Sequence, residues 1–335
     1  MKIRPLPILW AILLVSGFVT TSVRFGTAAP PLPTCNAAEY RQFDFWVGNW
    51  IVTNRITHKF EGTNNITSEL NRCVVAEHWT SGSQTGSSFN LYDAATKMWH
   101  QTWIDNYGSL LVLRGHLQNG EMTLSGSKAR KDGKIAMHRI TYTPRTDGTV
   151  RQHWISSIDG GKTWKDLFDG IYKHQSVRNN PAPLALAAQC TAPEYRQFDF
   201  WSGNWRVTDR KTRKFVGTND IPHVQGNCAI EEHWTSRSRI RGMSFNTYDR
   251  STKRWHQTWV DSTGGLLELD GSLKAGSMVL SQTSAGQNGK PQLQRITWTP
   301  ESDGTVRQHW VVSSDNGKTW QDAFDGIYHR ASGKR

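Results

Sequence analysis

The residues best suited to chemistry lie on short alternating runs that occur twice. In Met98-Trp99-His100-Gln101-Thr102-Trp103-Ile104-Asp105, the side formed by Trp99, Gln101, Trp103 and Asp105 returns unchanged as Trp255, Gln257, Trp259 and Asp261, whereas Met98 becomes Arg254. Successive side chains of a strand point to opposite faces, so a position that accepts arginine marks the outer face and the rings and carboxamide mark the inner one. The same test turns Ser88, Asn90 and Tyr92 inward, because Leu91 becomes Thr247. It also turns Glu77 and Trp79 inward, because Ala76 becomes Glu231. The second copy supplies Glu232, Trp234, Asn246 and Tyr248 at the matching places. Arg139, its counterpart Arg295, or Arg151 would add a guanidinium to this interior.

Aromatic faces beside carboxamide, carboxylate and guanidinium groups suit a small ring-bearing or hydroxyl-rich ligand, bound without turnover. A second reading makes Glu77 and Glu232 acid–base groups of an enzyme acting on a carbohydrate or aromatic substrate. A third closes the polar groups on one another inside filled barrels and leaves a structural or envelope-interaction module, since buried polar groups must be paired. No G-x-S-x-G run is present to hold a nucleophile. Three histidines recur as pairs, His78 with His233, His100 with His256 and His153 with His309. Parity turns the first two pairs outward, so neither a metal, a haem nor any other cofactor is expected.

These runs belong to a tandem duplication. Glu39-Tyr40-Arg41-Gln42-Phe43-Asp44-Phe45-Trp46-Val47-Gly48-Asn49-Trp50 returns as Glu194-Tyr195-Arg196-Gln197-Phe198-Asp199-Phe200-Trp201-Ser202-Gly203-Asn204-Trp205, and the register then holds to the end with one inserted residue. Each copy is far longer than a solenoid unit and long enough to bury its own core. Runs rich in Trp, Tyr, Val, Ile and Thr, punctuated by Gly, Asn and Asp, predict strands near residues 49–57, 72–80, 88–92, 98–105, 110–117, 121–127, 137–143, 150–157 and 164–172, with a short turn near 39–45. Nine or ten strands with hairpin-length connections predict an all-β fold: two antiparallel barrels in tandem, or compact sandwiches.

The motif Gly48-x-Trp50, repeated as Gly203-x-Trp205, favours barrels by its resemblance to lipocalins and their calycin relatives. There a G-x-W on the first strand closes one barrel end under an arginine from a late strand, a part Arg151 and Arg307 could take. The longer F-D-F-W-x-G-x-W opening, followed by Y-D, W-x-Q-x-W-x-D and S-x-D-x-G-x-T-W, resembles a family of exported, functionally uncharacterised domains expected to be lipocalin-like. That resemblance implies a fold and almost no chemistry. The runs Ser157 to Trp164 and Ser313 to Trp320 match the Asp-box of β-propellers, yet occur once per copy rather than once per blade, so a structural hairpin is expected.

Outside the copies, Lys2 and Arg4 lead into an apolar run from Leu6 to about Val19, with Thr27-Ala28-Ala29 beyond it. This is the layout of a secretory signal peptide over residues 1–29, leaving no stable membrane span after cleavage and a periplasmic or secreted protein. Residues 35–174 and 190–331 form the two barrel domains, joined by a Pro/Ala-rich linker over 175–189. Cys35 and Cys73 recur as Cys190 and Cys228 at equal spacing, which predicts one disulfide per domain. The formal charge of +12 falls to about +9 without Lys2, Arg4 and Arg24. The basic residues are scattered and form no run of five, so a nucleic-acid partner is not expected. Nothing in the sequence sets an oligomeric state.

Overall fold

The computed structural model describes residues 35–130, 132–175, 189–285 and 291–331. The expected signal peptide, residues 1–29, and residues 176–188 of the expected linker lie outside them. The first copy is a closed antiparallel barrel of ten strands: β1 (Gly48–Asn54), β2 (Phe60–Glu69), β3 (Val74–Thr80), β4 (Thr85–Asp93), β5 (Met98–Asp105), β6 (Leu110–Gln118), β7 (Glu121–Ala129), β8 (Ile135–Pro144), β9 (Val150–Ser157) and β10 (Lys165–His174). Each strand pairs with its sequence neighbours, and β1 closes the ring on β10 through Val52 opposite Tyr172. The second copy repeats this with β11 (Gly203–Asp209), β12 (Phe215–Ile221), β13 (His223–Val224), β14 (Ala229–Ser236), β15 (Arg241–Asp249), β16 (Arg254–Asp261), β17 (Leu266–Lys274), β18 (Ser277–Ala285), β19 (Pro291–Pro300), β20 (Val306–Ser313) and β21 (Gln321–Arg330). There β12 and the two-residue β13 together take the place of β2, and β12 pairs with β14 to close the ring.

Local chemistry sets the hairpins. Between β6 and β7 the turn is Asn119-Gly120, both at positive φ (52° and 81°), the geometry that two-residue hairpins need to match strand twist. The Ser157–Trp164 run forms the β9–β10 turn: Asp159 accepts from the Thr163 amide at 2.9 Å and the Thr163 hydroxyl at 2.6 Å, and the Trp164 indole donates to Gly161 O at 3.1 Å. The segment before β1 folds into two 3₁₀ turns, Ala38–Arg41 and Asp44–Trp46, and plugs one barrel end. Phe43 and Trp46 are fully buried there, stacked with centroids 5.0 Å apart, and Trp50 donates its indole N–H to Trp46 O at 2.9 Å. The disulfides Cys35–Cys73 and Cys190–Cys228 tie each plug to the start of a strand, and two such bridges fit an extracytoplasmic compartment.

One expectation at this end is corrected. Arg151 and Arg307 do not cover the G-x-W indoles; they pair with Asp169 and Asp325 at 2.7 and 2.8 Å. His174 stacks on Trp50 at 3.8 Å and the Arg330 guanidinium lies 3.9 Å from the Trp205 ring centre. The covering group comes from the last strand because that strand closes the ring against β1.

The outward faces of β4 and β5 do not meet water. They pack on β15 and β16 about an approximate two-fold axis, so that equivalent residues meet: Phe89 stacks on Phe245 at 3.7 Å and 5°, and Thr102 bonds Thr258 at 2.9 Å. Val74, Ala76, Leu91 and Ile104 share one apolar cluster with Ala229, Met243 and Val260. Leu91 and Ala76 and their counterparts Thr247 and Glu231 are all buried there. The substitutions identify the outward face correctly, but that face is an interface rather than a solvated surface.

Candidate functional site

Opposite the plug, each barrel opens on a cavity. In the first barrel it measures about 160 Å³ and is walled by Glu77, Trp79, Gln84, Gln101, Trp103, Leu111, Ile140, Tyr142, Gln152, Trp154, Leu167, Phe168 and Tyr172. In the second it measures about 170 Å³ and is walled by Glu232, Trp234, Gln257, Trp259, Leu267, Ile296, Gln308, Trp310, Ala323, Phe324 and Tyr328. A space of this size accepts a single small ring or a branched alkyl group.

Glycines set the rings. A Cβ on Gly86 would fall 2.2 Å from the Trp103 benzo ring, one on Gly62 2.7 Å from the Trp79 ring, and one on Gly170 2.5 Å from the Phe168 ring. Each ring therefore occupies space on the inner wall that a side chain at the glycine would fill. Gly242 under Trp259, Gly217 under Trp234 and Gly326 under Phe324 repeat the device. Trp79 and Phe168 meet at 6.0 Å and 84°, Trp234 and Phe324 at 6.1 Å and 81°, so two walls stand perpendicular in each cavity. Trp154 is held by its indole N–H on His138 Nδ1 at 3.1 Å; in the second barrel Trp310 is held by Gln294 Oε1 at 3.0 Å. Burial lowers the His138 pKa, which keeps Nδ1 free to accept.

Beneath the rings runs one directional network. Val75 O can only accept, so Asn90 turns its Nδ2 to it at 2.9 Å and to Ser88 Oγ at 2.9 Å, leaving Oδ1 to accept from Gln101 Nε2 at 2.8 Å. Ser88 Oγ donates to Glu77 Oε2 at 2.7 Å and Asn64 Nδ2 donates to Glu77 Oε1 at 2.7 Å. Asn64 Nδ2 also lies 3.4 Å from the Tyr172 hydroxyl, which donates in turn to Gln152 Oε1. Gln101 Nε2 donates further to the Tyr142 hydroxyl at 2.9 Å. Donors thus converge on Glu77. Burial nevertheless outweighs them and pushes its pKa up to about 7, and Glu232, held by Asn219 at 2.6 Å and Ser244 at 2.7 Å, is pushed to about 7 for the same reason.

The residues singled out in the sequence divide into four groups. Glu77, Trp79, Gln101 and Trp103, with Glu232, Trp234, Gln257 and Trp259, stand in the cavity walls. Asn90 and Asn246 are fully buried behind the walls, as links in the network. Trp99 and Trp255 are buried at the plug, where their indoles donate to Gln42 and Gln197 at 3.0 and 3.1 Å. Tyr92 and Tyr248 are half-buried beside Tyr40 and Tyr195 at the same end. Arg139 and Arg295 are corrected: both are exposed on the outer face, 4.7 and 4.3 Å from the ring centres of Trp164 and Trp320. Ile140 and Tyr142, one and three positions further along β8 and so of the opposite parity, face inward instead.

Sequence reasoning missed Asn64, because β2 is too polar to read as a strand, and it missed Gln152 and Trp154, which share a strand with Arg151. A usable signal existed for both: Gly-Thr-Asn and Val-Arg-Gln-His-Trp are identical in the two copies. Of the histidines, His100 and His256 are buried between the barrels, near Glu268 and Asp270, while His153 and His309 pair with Asp166 and Asp322. No cluster of His, Cys, Asp or Glu among the described residues could hold a metal, and no helix among them is long and apolar enough to cross a membrane.

No protein-family profile matches the chain, and no curated protein does. Among solved structures, a Bacteroides fragilis protein described provisionally as an outer membrane protein aligns over 84% of this chain and 93% of its own, at 9% identity and a TM-score of 0.17. A DUF3598 family protein of unknown function from Nostoc punctiforme aligns over 88% of this chain and 100% of its own, at 11% identity and a TM-score of 0.18. At those scores neither carries an argument about this chain.

Proposed function

We propose that this is a periplasmic or secreted protein whose two barrels each bind a small organic molecule reversibly, without turnover. The observation that carries the reading is the repeated cavity: the two barrels leave about 160 and 170 Å³ inside, faced by the same rings. A filled barrel has no use for glycines that hold three rings clear of the lumen. Both oxygens of Glu77 already accept from buried donors, an arrangement that suits fixing a wall better than shuttling protons. The test is a thermal-shift and indole-fluorescence screen of small aromatics, saccharides and amines. A ligand should raise the melting temperature of the parent and do so less in Gln101→Ala, with circular dichroism unchanged. If nothing in such a screen shifts the parent, the interior is structural and the binding reading falls.

A further inference from the structure

Resting on the binding reading, we propose that each cavity is an aromatic cage for an organic cation, a quaternary or protonated amine. The walls offer ring faces, and the face of an aromatic ring carries the negative end of its quadrupole, so several faces around one small space attract a cation. Trp79, Trp103 and Phe168 each fill the space a glycine leaves on the wall, and Trp79 and Phe168 meet edge to face at 84°, which sets two ring planes at right angles rather than in a parallel slot. The charge on the wall agrees. Glu77 is the one ionisable acid there, and neither wall includes a lysine, arginine or histidine, although the chain as a whole is strongly basic at +12. A neutral ring without a hydrogen-bond donor gains nothing from a buried carboxylate, whereas an ammonium compensates its charge.

The proposal also predicts a proton count. Glu77 and Glu232 are shared between acid and carboxylate near pH 7, so a cation that favours the carboxylate must displace protons from them, while an uncharged ligand of the same shape displaces none. The overall positive charge slows the approach of a cation without altering this preference.

The probes are choline and 3,3-dimethylbutan-1-ol, which differ by replacing N⁺ with carbon, titrated calorimetrically into the full chain. At pH 8 choline should bind about tenfold or more tightly than the alcohol, and the ratio of the two affinities should fall towards one in Glu77→Gln/Glu232→Gln. In the parent at pH 6.5, the heat of choline binding should depend on the buffer's ionisation enthalpy, showing proton release; this readout needs no variant and so survives a variant that fails to fold. Equal affinity for the two probes, or choline binding without proton release, overturns the cage while leaving the binding reading intact. If only uncharged rings such as phenol bind, the cage is likewise wrong. If no probe binds, both readings fall together.

Discussion

Replacing Glu77 by glutamine should reverse its effect on stability between acid and alkaline pH. The fold raises this carboxyl from an ordinary 4.5 to about 7. A raised acid is favourable when protonated: its contribution is intact below about pH 4.5, declines as pH rises towards 7, and is constant above that. Relative to a neutral group, the cost reaches about 1 kcal/mol at pH 5 and about 3 kcal/mol at pH 8. Glutamine carries no such cost, but its amide nitrogen is a donor and replaces one of the two oxygens that accept from Asn64 and Ser88, a mismatch of about 1 kcal/mol at every pH. The variant should therefore be no more stable than the parent at pH 5 and more stable by roughly 2 kcal/mol at pH 8. Urea melts of both proteins across this range give the difference, and groups that titrate alike in the two cancel. A difference that stays flat from pH 4.5 to 8 would refute the reasoning, because Glu77 would then be solvated.

Other consequences can be measured independently. Cys73→Ser opens a loop of 38 residues and should cost about 4 kcal/mol in oxidising buffer and nothing under full reduction, read by melts with and without reductant. Phe89→Asp places a charge against Phe245 in the shared cluster, so the full chain should unfold in two calorimetric transitions where the parent shows one; a single unshifted transition would mean that the interface does not couple the barrels. Each barrel made alone would bare this apolar face, and should self-associate in sedimentation experiments rather than remain monomeric.

Much of this fold is legible in the sequence because the chain is its own alignment. Duplication exposes the alternation, and alternation alone assigns the inner faces of β3, β4 and β5, including Glu77, Gln101 and Trp103. The same logic is blind to context. It reads Ala76→Glu231 and Leu91→Thr247 as signs of solvent when the face in question is closed by the other barrel. Propensity hides β2, whose Gly62, Asn64 and Asn65 are poor strand formers kept because Gly62 seats Trp79 and Asn64 holds Glu77. Arg139 misleads for another reason: its ring partner, Trp164, comes from the Asp-box turn and covers the outside of the barrel.

The central claim, one small-molecule site in each barrel, is tested most directly by counting sites. Calorimetric titration of the full chain with phenol and with choline should give two sites per chain for whichever binds. Gly86→Ala, whose Cβ would drive the Trp103 ring from its seat, should reduce the count to one, and adding Gly242→Ala should reduce it to none, with far-UV circular dichroism retained. Saturable binding whose stoichiometry ignores both substitutions, or no saturable binding of either probe, would contradict the account.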